Sequence, residues 1–166
     1  MSIKANLVMG SDGSTTLEGS SRSLSSPMDR ARFHELRASA SAILIGGNTA
    51  RNEPYSNTPI PLIVITKLGN LPEDLLANPH LNVWELDPIS AIHRAVSEFG
   101  EDILVEGGIN LLKELLIANQ IAELFLTISK KTGGDNIYDL SALTRNFTVE
   151  SSEKFGEETF LKLLRN

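Results

Sequence analysis

Glu106-Gly107-Gly108 closes the apolar run Ile103-Leu104-Val105 and is followed by Leu111, Leu112, Leu115 and Leu116 at helical spacing, which predicts a strand, a tight turn and a helix. Chemistry is available at such a junction. Two glycines let the backbone take positive φ and let a ligand approach with no Cβ in the way. The first turn of the helix presents unpaired N–H groups that favour a phosphate. Glu106 then stands at the carboxyl end of a strand, where open α/β sheets hold their ligands. The same residues also suit a plain connection with a solvated Glu106, and the local signal leaves both readings open.

Two further strand ends carry comparable sets. Gly46-Gly47-Asn48-Thr49 follows the short apolar run Ala42–Ile45, and Thr66-Lys67 follows Leu62–Ile65, whose continuous β-branched character is that of a strand buried on both faces. Together the three ends suit a pyrophosphate, an adenosine 2′-phosphate and a polar substrate group. Other chemistries lack their signatures. The sequence contains no G-x-x-x-x-G-K-[ST], no G-x-G-x-x-G and no G-x-S-x-G. His34, His80 and His93 are far apart, and with no cysteine present a catalytic zinc is not expected. An enzyme without nucleophile or metal takes its hard chemistry from an external cofactor.

The elements that must position these ends alternate between strand and helix. Ile3–Met9 reads as a first strand, ended by Gly10-Ser11-Asp12-Gly13. Residues 14–26, rich in Ser, Thr and Gly, read as a long loop. Ser26 as cap, Pro27 at the first helical position and Asp29 at capping-box spacing predict a helix to about Ala38 with Phe33 and Leu36 inward. Ala50–Pro61 reads as a loop and Pro72–Ala77 as a helical turn. Asn82–Leu86 reads as a strand, and a helix runs from Pro88, capped by Asp87, to a stop at Gly100. Glu123–Ser129, Phe147–Glu150 and Thr159–Leu164 complete the strands, the last also compatible with a short helix. This order predicts an α/β fold of three layers: a central, mostly parallel mixed sheet with helices on both faces, in a single domain over residues 1–166.

Composition narrows the partners. The chain has 166 residues, 41% of them hydrophobic, enough for one core. Its net charge is −6, from 15 basic and 21 acidic residues, the reverse of the balance expected of a general nucleic-acid binder. No apolar run is long enough to cross a bilayer and no leader pattern opens the chain, so a soluble, cytoplasmic protein is expected.

Several segments, in order, resemble one family. They are Asn6–Gly13, Ser25–Pro27, Leu36–Ala38, Ala42–Thr49, Ile103–Gly108 and Ile121–Leu126. The chain is similar over nearly its whole length to the reductase domain of riboflavin biosynthesis, the 5-amino-6-(5-phosphoribosylamino)uracil reductases, which have the dihydrofolate-reductase-like fold. The resemblance implies NADPH as cofactor, a phosphorylated pyrimidine as substrate and a homodimer. It assigns substrate contacts to Asn6, Ser21, Arg37 and Glu106, with Glu106 also the candidate catalytic group. It assigns cofactor contacts to Val8, Ser23, Gly47, Thr49, Asn52, Thr66, Lys67, Gly107, Gly108, Ile109, Asn110 and Leu111.

The sequence departs from the family pattern at identifiable places. Asn6 stands where many members have lysine, and Ser23 where many have tryptophan. The acid before proline reads Asn52-Glu53-Pro54, one residue shorter, and no basic residue occurs from Tyr55 to Pro61. The H-x-E and P-C-x-x-C signatures of the zinc deaminase fused to many members do not occur. The alternatives are another reductase of this fold, for dihydrofolate or a different pterin, and a non-catalytic nucleotide-binding protein.

Overall fold

Period-2 alternation decides what each face of the sheet carries. In the computed structural model, which describes residues 2–166, β1 (Ser2–Gly10) sends Ile3, Ala5, Leu7 and Met9 into one apolar core and turns Asn6 and Val8 to the opposite face. β2 (Ala42–Gly46) and β3 (Leu62–Ile65) are apolar on both faces. Ala42, Leu44, Ile63 and Ile65 join the main core, while Ile43, Ile45, Leu62 and Val64 form a second one. With β4 (Leu81–Trp84), β5 (Asp102–Glu106), β6 (Glu123–Ser129), β7 (Phe147–Phe155) and β8 (Glu158–Arg165) they make one eight-stranded sheet, ordered β4-β3-β2-β5-β1-β6-β8-β7. Every pairing from β4 to β6 is parallel, and β8 runs antiparallel to both β6 and β7. The expected mixed, mostly parallel sheet is what forms.

Helices cover both faces. α4 (Pro88–Phe99) begins at the Asp87 cap and stops at Gly100, as its sequence predicts, and buries Ala91, Ile92 and Ala95 in the main core. α5 (Ile109–Ile117) adds Leu111, Leu112 and Leu115 to the same core. On the other face, α2 (Gly47–Asn52) and α3 (Glu73–Leu76) place Ala50 and Leu75 in the second core. α2 replaces the start of the loop expected over residues 50–61; the backbone turns helical directly after Gly46, and Ala50 gains a buried position. α6 (Leu140–Thr144), capped by Asp139, was not apparent from periodicity because it is one short turn with Leu143 as its buried residue. The segment that suited either a strand or a short helix is strand β8, and β7 runs to Phe155, well past the expected Glu150.

α1 (Pro27–Ala38) has the predicted cap, with the Ser26 hydroxyl accepting from the Asp29 N–H. Its inner face differs from the expected one. Phe33 and Leu36 are only half-buried, and the one fully buried residue is Asp29. Instead of completing a capping box, the Asp29 carboxylate accepts hydrogen bonds from Thr127 of β6 and from Ser25, both at 2.6 Å. Arg32 spreads over the Phe125 and Phe160 rings and donates to the Leu161 carbonyl. Two turns beyond Asp29, Arg37 binds Glu106 of β5 through two hydrogen bonds of 2.7 Å, Nε to Oε2 and Nη2 to Oε1. Polar anchors at 29, 32 and 37 therefore hold α1 to the sheet where an apolar stripe was expected.

Tyr55 completes the last anchor, its hydroxyl donating to Glu106 Oε1 at 2.8 Å. Burial, then the adjacent Glu106 carboxylate, pushes the Tyr55 phenol well above its ordinary pKa of 10.0. A group whose folded pKa is raised stabilises fully below its unfolded value and loses that contribution as pH rises through the folded one. Tyr55→Phe is expected to lower stability at neutral pH by about 1.5–3 kcal/mol, the range for a hydrogen bond to a charged group. The gap between variant and wild type should narrow as pH climbs past 10. Urea midpoints from pH 7 to 11 measure both, and a gap constant across that range contradicts the assignment.

Candidate functional site

The crevice follows from connectivity. β1 leads through α1 to β2 on one side of β5, while β5 leads through α5 to β6 on the far side of β1. Neighbouring strands whose connections leave in opposite directions open a gap at their carboxyl ends, the usual ligand position in such sheets. A two-lobed cleft occupies it. The larger lobe, about 310 Å³, is lined by Asn6, Val8, Thr49, Asn52, Gly107, Gly108, Ile109 and Asn110 among others. The smaller, about 170 Å³, is lined by Arg22, Arg30, His34, Arg37, Ser25 and Tyr55 among others. Val8, Ser21, Phe33, Thr49, Glu53 and Gly107 belong to both, so the lobes are continuous.

The glycine turn is required here by its geometry. Gly107 and Gly108 both have positive φ, 61° and 75°. A Cβ on Gly107 would lie 3.0 Å from Thr49 Cγ2, and one on Gly108 3.0 Å from Thr49 Oγ1. The turn therefore packs directly on Thr49 at the start of α2. No side chain caps α5 at Gly108, and its opening residues Ile109 and Asn110 face the cleft. Such an end attracts anions through free N–H groups and the helix dipole.

Two loops close the larger lobe. Thr15 and Thr16 bridge to Asp135 by backbone hydrogen bonds, and Asn136 Nδ2 donates to Thr16 Oγ1 at 3.0 Å. Asp12 locks the same junction, accepting from Ser14 and from the Gly133 N–H. The Ser14 hydroxyl and then the Gly133 amide hold the Asp12 carboxyl down at about 2. Glu53 ties down the serine loop: its Oε1 accepts from the Ser20 hydroxyl and from both the amide and the hydroxyl of Ser21.

Of the residues singled out from sequence, Asn6, Val8, Ser21, Thr49, Asn52, Gly107, Gly108, Ile109 and Asn110 line the larger lobe and Arg37 the smaller. Six others lie outside the lining. Glu106 is 0% exposed, and both its oxygens are taken by Arg37 and Tyr55. The expected direct meeting of Glu106 with a ligand is thus not the arrangement found. Leu111 is packed in the core. Ser23 is turned aside, its carbonyl accepting from Lys131 Nζ at 2.6 Å. Gly47 lies against Thr66 and Arg51, with no room for a Cβ, and the Thr66 hydroxyl is engaged with the Leu68 backbone. Lys67 is exposed in the bend after β3.

Sequence reasoning missed Thr15, Thr16, Asp135 and Asn136, because their arrival depends on loop pairing across about 120 residues, of which a single chain carries no trace; Phe33, expected inward on α1, lines both lobes instead. His34 was noted only for its distance from the other two histidines, and the structure places that exposed imidazole in the wall of the arginine-lined lobe. Glu53 was noticed only as part of a shifted Asn52-Glu53-Pro54. Burial raises no clear flag at Arg37 either. Desolvation acts to lower its pKa, but the hydrogen bonds and charge of Glu106 more than offset this, so the guanidinium stays fully charged.

Among the described residues, no group of His, Cys, Asp and Glu is placed to hold a metal ion, and no helix is long and apolar enough to cross a membrane. No curated protein matches the sequence significantly. Solved structures do match in fold. A pyrimidine reductase-like protein from Corynebacterium diphtheriae superposes with a TM-score of 0.78 at 18% identity, covering 99% of this chain and 92% of that one. A bifunctional diaminohydroxyphosphoribosylaminopyrimidine deaminase/5-amino-6-(5-phosphoribosylamino)uracil reductase from Thermotoga maritima gives 0.73 at 18% identity, over 99% of this chain and 56% of that one. RibD of Acinetobacter baumannii gives 0.75 at 15% identity, over 99% and 58%. The chain thus spans little more than half the length of the last two, and its fold is the dihydrofolate-reductase-like one of these reductases. The sequence model of the RibD C-terminal domain matches residues 2–161, and the chain belongs to that family.

Proposed function

We propose that this chain is an NADPH-dependent reductase that converts the ribosyl group of 5-amino-6-(5-phosphoribosylamino)uracil to a ribityl group. Family membership supports a reductase of riboflavin biosynthesis. The observation that carries the finer reading is the division of the cleft into a lobe ending on an uncapped helix and a lobe ringed by arginines.

The larger lobe suits the dinucleotide. Its pyrophosphate fits the turn at Gly107-Gly108 and the start of α5, beside the Thr49 hydroxyl. Outside the lining, Lys67 and Thr66 follow β3, and Arg51 reaches the same place, bonded to Asn48 and Asn70. These two cations suit a 2′-phosphate on the rim, the second without any forewarning in the sequence. The orphaned amide of Asn6 in the lobe wall is a further sign that a polar ligand belongs there.

The smaller lobe suits the substrate phosphate. Arg37 spends Nε and Nη2 on Glu106, which leaves Nη1 for the cavity. Arg22 and Arg30 stand in the same wall and supply the cations that the segment from Tyr55 to Pro61 lacks. Bound NADPH supplies the hydride. The protein's part is to position: arginines hold one end of the substrate, the half-buried Phe33 and buried Val8 line the junction of the lobes, and Glu53 offers an acceptor to a substrate hydroxyl there. Glu106 acts through others, keeping Arg37 and Tyr55 in place.

Mixing the protein with NADPH and the phosphoribosylamino-pyrimidine is expected to consume the absorbance of the reduced nicotinamide, whereas dihydrofolate does not; the reverse pattern overturns the reading. Glu106→Gln removes the charge that orients Arg37 and should lower kcat/KM by about 100-fold, the scale of a misplaced positioning group. The loss should appear mainly in KM for the phosphorylated substrate, because the residue never touches the reacting atoms, and an unchanged KM removes the positioning role. Lys67→Glu is expected to weaken NADPH relative to NADH by at least about tenfold, or ~1.4 kcal/mol. Titrating both cofactors measures it, and an unaltered ratio takes Lys67 out of the site.

A further inference from the structure

Three polar strand residues on one face of the sheet, Glu106, Thr127 and Asn6, differ in one respect. Glu106 has Arg37 and Tyr55, and Thr127 has Asp29, each fully bonded in the protein. Asn6 lies between their strands, paired in register with Glu106 on β5 and with Phe125 on β6. It is 1% exposed, and neither Oδ1 nor Nδ2 has a hydrogen-bond partner. Buried amides are ordinarily satisfied, so an orphan on both atoms asks for a partner from outside the chain. Asn6 belongs to the wall of the larger lobe, which Val8 and the Gly107-Gly108 turn also line, so an outside partner can be a ligand.

The missing partner has a definite chemistry. An asparagine amide offers one acceptor and two donors on a flat group, and its complement is another flat group with an acceptor and an N–H side by side. A phosphate or carboxylate would meet Oδ1 with repulsion, and an alcohol would leave one atom unpaired. We infer that Asn6 reads a neutral amide edge of a bound ligand, and so acts as a specificity-determining residue of the larger lobe. This rests on the function proposed above, whose two ligands both carry such an edge: the carboxamide of nicotinamide and the lactam of the pyrimidinedione. A lysine at this position would present only donors and a charge. Asn6 therefore favours a neutral amide over an anionic group.

Two probe pairs test it by calorimetric titration of wild type and Asn6→Leu. The first is NADPH and its 3-acetylpyridine analogue, in which a methyl replaces the amide nitrogen. The second is the ribitylamino-pyrimidinedione and its N3-methyl derivative, which blocks the lactam N–H. Wild type is expected to bind the intact member of one pair at least tenfold more tightly than the blocked member, and Asn6→Leu to bind both members of that pair equally. The pair that responds identifies the source of the edge. Leucine fills nearly the same volume with no unpaired atoms, so Asn6→Leu should unfold at the same or a higher temperature; a lowered midpoint overturns the inference by showing that the amide serves the fold. Wild-type ratios retained by the variant for both pairs overturn it as well, leaving the reductase reading intact. Failure of wild type to bind either NADPH or the pyrimidinedione overturns both.

Discussion

Glu106 is a carboxylate with no exposed surface, and the polar side of the sheet is arranged around that fact. An isolated buried carboxylate is untenable; it survives here because Arg37 meets it with two parallel hydrogen bonds and Tyr55 adds a third. Such a pair contributes little net stability compared with apolar packing, yet breaking it costs about 3–5 kcal/mol. Its effect is therefore to specify geometry. It ties the last turn of α1 and the segment after α2 to the end of β5. Arg37 also lies over the Tyr55 ring, so the three side chains hold one another in a single arrangement.

That constraint explains why α1 does not look like a core helix. With Asp29, Arg32 and Arg37 each engaged on the sheet, its contact face is polar at three successive positions, and the apolar Phe33 is left at the mouth of the cleft. A helix seated on an apolar stripe can slide or rotate by small amounts at little cost. One seated on directional bonds to Thr127 and Glu106 has its register set at both ends. The arginines that face the smaller lobe inherit this precision, because Arg30 and Arg37 stand on the same helix.

Much of this architecture is legible in the residues. Caps mark the starts of α1 and α4 to the residue, through Ser26-Pro27 and Asp87-Pro88, and Gly100 marks the end of α4. The continuous apolar runs of β2 and β3 announce strands covered on both faces. The glycine turn after β5 also follows from local chemistry, while its place on a cleft was one of two open readings, favoured by the ordered family segments. What was not legible is direction. Alternation tells that Glu106 points away from Val105, but whether it meets solvent, ligand or an arginine depends on Arg37, 69 positions away. A helix that buries Asp29 rather than Leu36 defeats an apolar-periodicity reading for the same reason: the partner, Thr127, is 98 positions distant. The short helices α2 and α6 have too few turns to show a period.

The satisfied Glu106 also changes what its neighbours mean. If that carboxylate faced the cleft, the face at the ends of β1 and β5 would be acidic and would repel phosphates from both lobes. Neutralised from beneath, it leaves Asn6 as the polar group that β1 turns toward the larger lobe and frees one edge of Arg37 for the smaller. The crevice exists because β1 and β5 send their connections to opposite sides. Its electrostatic sign at those two strand ends is set by one ion pair in its foundation. A sheet of this topology without Arg37 would have the same gap but hold a bare or protonated acid at its base, and a different class of ligand would suit it.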